Sequence, residues 1–227
     1  MANLDVVYAD DEDLLSAAGS DFSLLLPAAA DVAVGSDGAF DVADRWTLTS
    51  VSADFAGQGV ASGQVCTLTL PASTRPEEWT TDGELFVIDA TPTLAGSVTL
   101  RRLRLTSGKG APPAPVAGLV GVTYSVRTLY SRIEEASFDL NRRLRIDPAI
   151  AGRAPTDLKD MRDLRAATVD MVLQSAYFDA IREPNDLFAA KYKIVSARLE
   201  ERFSRLGARW TNDPKETRPS FGMRLSR

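Results

Sequence analysis

The spacing of the apolar residues changes once along this chain, near residue 130, and that change limits the fold more than any other feature. Between residues 40 and 128 short runs alternate apolar and polar side chains, as in Trp46-Thr47-Leu48-Thr49-Ser50-Val51. Residues 64–70, 84–90, 96–105 and 120–129 do much the same. Alternation of period two marks strands with one buried face. Gly57-Gln58-Gly59, Gly63, Pro71, Asp82-Gly83, Pro92, Gly96 and Pro112-Pro113 separate these runs, and such residues supply turns. Five short strands within about 90 residues predict a small antiparallel barrel or sandwich.

Beyond residue 130 the apolar residues recur every third or fourth position. Ser131-Arg132-Ile133-Glu134 has the form of a capping box, and Ile133, Ala136, Leu140 and Leu144 follow on one face, closed by Pro148. Pro155 opens a second helix near Thr156 or Asp157, with Leu158, Met161, Leu164, Thr168, Met171, Val172 and Ser175 as its stripe. A third begins at Pro184-Asn185. Its face of Phe188, Tyr192, Val195, Leu199, Phe203 and Leu206 ends at Gly207.

The two ends differ from both regions. Residues 1–40 read as a short acidic lead-in, helical or irregular. Asp10 caps a helix over residues 11–18 that Gly19 ends, and a second short helix over residues 20–26 stops near Pro27. The run Asp10-Asp11-Glu12-Asp13 reads as a solvated helix start, because it lacks the alternate ligand spacing and glycine of a calcium loop. The predicted organisation is a lead-in over 1–40, a β module over 41–130, a helical domain over 131–207 and an extended basic tail over 208–227. The expected class is α+β: a small antiparallel β barrel or sandwich module combined with a C-terminal helical hairpin or bundle and an extended tail.

Two absences narrow the chemistry. The chain contains no histidine, which excludes Ser-His-Asp and Cys-His catalysis and the usual histidine-bearing zinc sites. It contains one cysteine, Cys66, which excludes intrachain disulfides and CxxC redox chemistry. Cys66 lies in a strand-like run and reads as a small buried residue. Ser107-Gly108-Lys109-Gly110 lacks the upstream glycine of a phosphate-binding loop, and no GxSxG motif is present. No residue pattern identifies a catalytic, cofactor or metal site, so the expectation is a protein that is not an enzyme. Apolar stretches fall well short of the roughly 20 residues of a membrane span. The acidic N-terminus is unlike a secretory signal, and a soluble protein kept without export is expected.

Charge is distributed unevenly. Residues 1–100 hold 16 of the 31 acids but only two of the 26 bases, Arg45 and Arg75, so the first part carries −14 and the remainder +9. Opposed charge of this kind suits side-by-side contact with another copy or a charged partner. Candidate residues for such contacts, or for lining a channel, are Arg101, Arg102 and Arg104 on a strand and Arg142, Arg143 and Arg145 at a helix C-terminus. In the tail, Arg209, Trp210, Arg218, Phe221, Met223, Arg224 and Arg227 combine bases with isolated large apolar groups that an extended segment cannot bury on itself. That mixture is what a docking peptide presents to another protein.

Residues 185–210, with Lys191-Tyr192 and Glu201-Arg202-Phe203, resemble the closing helix of tailed-phage virion proteins. Residues 157–168 resemble the helix that opens the pair in head–tail connector (adaptor) proteins. Residues 51–65, where Phe55 follows Asp54 and Gly59-Val60-Ala61-Ser62-Gly63 forms a turn, are similar to a pattern in small β domains of virion proteins. The resemblance implies a structural protein of the virion neck, made in the host cytoplasm and seated between capsid and tail. It would form a ring of about twelve copies that touches the portal and the stopper or tail, with packaged DNA passing through its lumen. Trp210, Phe221, Arg218 and Arg224 would then anchor the tail in a neighbouring subunit or the portal. Such adaptors are often nearly all helical and shorter, so the β module would be an elaboration. A tail-completion, baseplate or head-decoration protein, or a non-viral β-module binding protein, remains an alternative. None of these functions requires a cofactor.

Overall fold

A computed structural model describes residues 6–25, 31–75, 83–102, 117–147, 154, 161–184 and 186–206. Its β region is a closed barrel of six strands: β1 (Asp31–Phe40), β2 (Thr47–Thr49), β3 (Val65–Thr69), β4 (Glu84–Ile88), β5 (Ser97–Arg101) and β6 (Val120–Arg127). Their order around the barrel is β1-β2-β5-β4-β3-β6, with β6 returning to β1 and every neighbouring pair antiparallel. Strands β3 to β6 form a Greek key, because β6 returns across the barrel to lie beside β3. Closure leaves the sheet without a free edge.

Alternation along the strands works as the sequence implies. Cys66 and Leu68 of β3, Phe86 and Ile88 of β4, Val98 and Leu100 of β5, and Val122, Tyr124 and Val126 of β6 fill the interior. Phe55, on the β2–β3 connection, is fully buried among them, its ring 5.4 Å from that of Tyr124. The Asp54 carboxylate accepts the Gly57 N–H at 2.9 Å and turns the chain just after Phe55.

The barrel has one strand more than the periodicity predicts. Asp31–Phe40, assigned above to a helical or irregular lead-in, is β1, and its ladder with β6 carries three register shifts. Gly35, Asp37 and Gly38 hide the strand from its sequence pattern, and the structure requires them. A Cβ on Gly35 would lie 2.3 Å from the Tyr124 hydroxyl, so only glycine lets the buried tyrosine ring cross β1. The Tyr124 hydroxyl donates to Ser50 Oγ at 2.9 Å, and Ser50 donates to Asp37 at 2.8 Å. Asp37 also accepts the Val51 and Ser52 N–H groups, at 3.0 and 2.9 Å. With the Ser52 N–H as the largest influence, these bonds hold its carboxyl down at about 2.

The helices are α1 (Asp11–Ala18), α2 (Phe22–Leu25), α3 (Tyr130–Leu144), α4 (Arg162–Ala180) and α5 (Leu187–Arg205). Helix α1 occupies the predicted residues. Asp10 and Asp13 form a reciprocal capping box, and Gly19 ends the helix at φ 61°. Helices α4 and α5 form an antiparallel pair, joined by Gln174–Ser196 and by ring contacts Tyr177–Phe188 and Phe178–Tyr192. One apolar core contains Leu14, Leu15, Phe22 and Leu25 from the N-terminal helices together with Ile133 and Ala136 of α3, Val172, Leu173 and Ala176 of α4, and Val195 of α5. The helical unit is therefore assembled from both ends of the described chain, with the barrel inserted between α2 and α3. Val65 and Leu85, on the outer pleat of β3 and β4, pack into this core and seat the barrel on it.

Two helix starts differ from expectation. Ser131 and Glu134 form no capping box. Helix α3 begins at Tyr130 after Leu129, with no side-chain bond from that cap residue. The described part of α4 begins at Arg162, with Met161 outside it and half exposed. Helix α5 takes Asp186 as its cap, accepting the Ala189 N–H at 2.6 Å, rather than starting at Pro184. The expected closures at Pro148 and Gly207, the start at Pro155 and the tail over 208–227 lie outside the described residues.

Candidate functional site

The acidic run at the start of α1 is not solvated. Asp11 and Glu12 are 3% and 1% exposed. Burying a carboxylate is costly unless it is paired or hydrogen-bonded, and both are. Glu12 takes both its oxygens to Arg101 of β5, at 2.9 and 2.7 Å, in a bidentate fork. Asp11 accepts the Leu129 N–H at 2.7 Å and the Thr128 hydroxyl at 2.6 Å. It thereby holds the residue that precedes α3, while the Thr128 hydroxyl accepts the Tyr130 N–H at 3.0 Å; the Ser131 box is unused because the helix has already begun before Ser131. Burial pushes the Asp11 carboxyl up to about 6 against the lowering effect of these two bonds. The first turn of α1 thus joins the helical unit to the barrel through Glu12 and to the β6–α3 junction through Asp11.

Part of the charge asymmetry along the chain resolves within the molecule. Acids of the first hundred residues pair with bases of the remainder: Glu12 and Asp89 with Arg101, Asp31 with Arg127, Asp13 with Arg165, and Asp21 with Lys191. Asp21 also accepts from the Tyr177 hydroxyl, which ties the turn after α1 to both α4 and α5.

The arginines singled out from sequence separate into two places. Arg101 is engaged inside the chain by Glu12 and Asp89, and that engagement raises its pKa. Its side chain stays 25% exposed. Arg102 lies over the Trp46 ring, 5.7 Å from its centroid, and with Arg45 borders a shallow pocket on the barrel exterior. Arg142 and Arg143 sit in the last turn of α3, as expected. Each stacks on a ring of its own chain, Phe138 at 5.9 Å and Phe203 at 3.8 Å. Arg145 follows as a left-handed cap residue at φ 54°. Arg104 and the tail residues Arg209, Trp210, Arg218, Phe221, Met223, Arg224 and Arg227 lie outside the described residues. Cys66 is fully buried in the barrel, and burial pushes its thiol up to about 12. Among the described residues no group of three or more His, Cys, Asp or Glu side chains is placed to hold a metal ion, and no helix is long and apolar enough to cross a membrane.

A second arginine cluster went unnoticed in the sequence. A cleft of about 620 Å³ between α1, α4 and α5 is lined by Arg162, Arg165, Arg198 and Arg202, with Asp13 and Asp170 among them. Asp170 is 3% exposed and is held by Arg198 on one oxygen and by Arg202, at 2.7 Å, on the other. A signal for this cluster was present. Arg198 and Arg202 are four residues apart, and Asp170 interrupts the apolar stripe of α4, where an acid needs a cationic partner.

Fold and site together define an α+β protein whose β barrel is inserted into a helical unit and whose conspicuous surface is a cleft of guanidinium groups. No protein-family model matches the chain, and no curated protein and no solved structure is significantly similar to it.

Proposed function

We propose that this chain is a structural protein of a tailed-phage virion, an adaptor that forms a ring between portal and tail around the DNA channel. The observation that carries this reading is the make-up of the helical unit. Helices α1 and α2 share one core with α3, α4 and α5, and the barrel is an insertion between α2 and α3. Without its insertion, the chain is the small all-helical body expected of the adaptors that its α4–α5 region resembles. The role is one of shape and contact, and it assigns no catalytic step to any residue.

Native mass spectrometry and negative-stain electron microscopy of the full chain test this, alone and with a candidate portal protein. The expected result is a closed ring of about a dozen copies, free or on the portal. Deletion of residues 208–227 is expected to release the ring from the portal. A trimer indifferent to the portal would instead indicate a head-decoration protein, and a stable monomer a binding module.

A further inference from the structure

We propose that the outward face of α3 in one copy docks into the arginine-lined cleft between α1, α4 and α5 of the next copy. This rests on the ring reading above and names the contact that would close the ring.

The cleft is built to receive carboxylates. Asp170 at its wall fixes Arg198 and Arg202, yet each uses a single nitrogen on it. A guanidinium has five N–H donors in a planar fork, so both retain donors for an incoming acid. Arg165 is 53% exposed and only loosely held, at 3.6 Å from Asp13. Among the described lining residues, Arg165, Arg198 and Arg202 by themselves outnumber the carboxylates of Asp13 and Asp170. Met161, Ala166 and Val169 add apolar wall.

The complementary surface is on the same chain. Glu134, Glu135 and Asp139 are exposed on α3 and make no ion pair with another described residue. Positions 134, 135, 138 and 139 share one helix face, opposite the stripe of Ile133, Ala136 and Leu140 that α3 buries. Phe138 lies among the three acids and is 46% exposed, stacked only on Arg142. An aromatic anchor ringed by acids fits an apolar-walled cleft ringed by guanidiniums. A sugar–phosphate strand would leave that apolar wall unused. Because the two surfaces belong to different elements, each copy can offer one to each of two neighbours, and a contact repeated in that way runs head-to-tail, as a ring requires.

Two charge-reversed chains test the contact: E134R/E135R/D139R on α3 and R162E/R165E in the cleft. Arg198 and Arg202 are left in place because they hold Asp170. Circular dichroism confirms that each variant is folded. Assembly is followed by native mass spectrometry, alone and on the portal. Each variant by itself is expected to assemble at least tenfold more weakly than the unaltered chain. An equimolar mixture is expected to recover assembly in alternating order, since each variant then meets an opposite charge on both sides. Unchanged assembly of either variant, or no recovery on mixing, would overturn the proposal while leaving the ring reading intact. A cleft variant that assembles normally but loses binding to a 30-base-pair duplex at low salt, on the order of the salt-sensitive phosphate contacts of other proteins, would overturn it in favour of a nucleic-acid site. An unaltered chain that stays monomeric with and without the portal would end the ring reading, and this contact with it.

Discussion

The barrel and the helical unit reach stability by different routes. The barrel is built from one continuous stretch, 31–127, and hydrogen bonds link its buried Tyr124 through Ser50 to the half-buried Asp37. The helical unit is drawn from residues on either side of that stretch, and its separate pieces are joined by ion pairs such as Asp21–Lys191 and Asp13–Arg165. The contrast has a physical basis. Closing a sheet satisfies backbone groups by itself, whereas helices from distant parts of the chain need side chains to fix their relative register. The lesson concerns the uneven charge. An acidic first part and a basic remainder look like two surfaces awaiting partners, but part of that charge holds the chain to itself.

The largest expected effect comes from the core that unites the two ends of the helical unit. Phe22→Ala removes a fully buried ring and is expected to lower stability by about 4 kcal/mol, measured by urea unfolding followed at 222 nm. A loss below about 1 kcal/mol would mean that the N-terminal helices do not belong to that core. Next is the fastening between the two regions. Arg101→Met leaves Glu12 buried without its guanidinium, at an expected cost of about 3 kcal/mol. Adding Glu12→Gln is expected to recover part of that loss, and the double-mutant cycle measures the coupling.

A pH effect should follow from Asp11, whose carboxyl burial raises to about 6 from an ordinary value near 3.8. A raised acid pKa means that the folded chain holds the proton more tightly than the unfolded chain. Its stabilising contribution is therefore fully present below pH 3.8 and is lost as pH rises through 6. The expected slope amounts to about 2–3 kcal/mol across that interval. Asp11→Asn should abolish it and leave the protein more stable at pH 7, as read from urea midpoints between pH 4 and 7. Asp37 acts with the opposite sign, its contribution being lost as pH falls from 3.8 through about 2, so the two are separable. The smallest effect belongs to the barrel alone. Gly35→Ala places a methyl against the Tyr124 hydroxyl and should cost about 1–2 kcal/mol. The same change in a Tyr124→Ala background should cost less. Equal costs in both backgrounds would show that the tyrosine ring is not what requires glycine there.

Much of this architecture can be read from the sequence because its determinants are local. Strands β2 to β6 follow from period-two alternation, helix α1 from Asp10 and Gly19, and the α5 face from the spacing of Val195 and Leu199. Strand β1 was missed because Gly35 and Gly38, which let it bend past Tyr124, remove the pattern that marks a strand. The Ser131 pattern does not act as a cap because α3 begins at Tyr130, and the residue before it, Leu129, is held by Asp11 from more than a hundred residues away. The Arg101–Glu12 fork is not legible in the sequence, because its partners lie 89 positions apart. The arginine cleft draws on three helices, and no window along the chain contains all of it. The sequence by itself determined the class, the five alternating strands and the helical periods, since backbone geometry converts residue spacing into faces. Only the tertiary structure decided that the barrel closes with a sixth strand, that both ends share one core, and which charges are consumed internally. Those outcomes depend on contacts between residues far apart in the chain, whose energies exist only once the chain has brought them together.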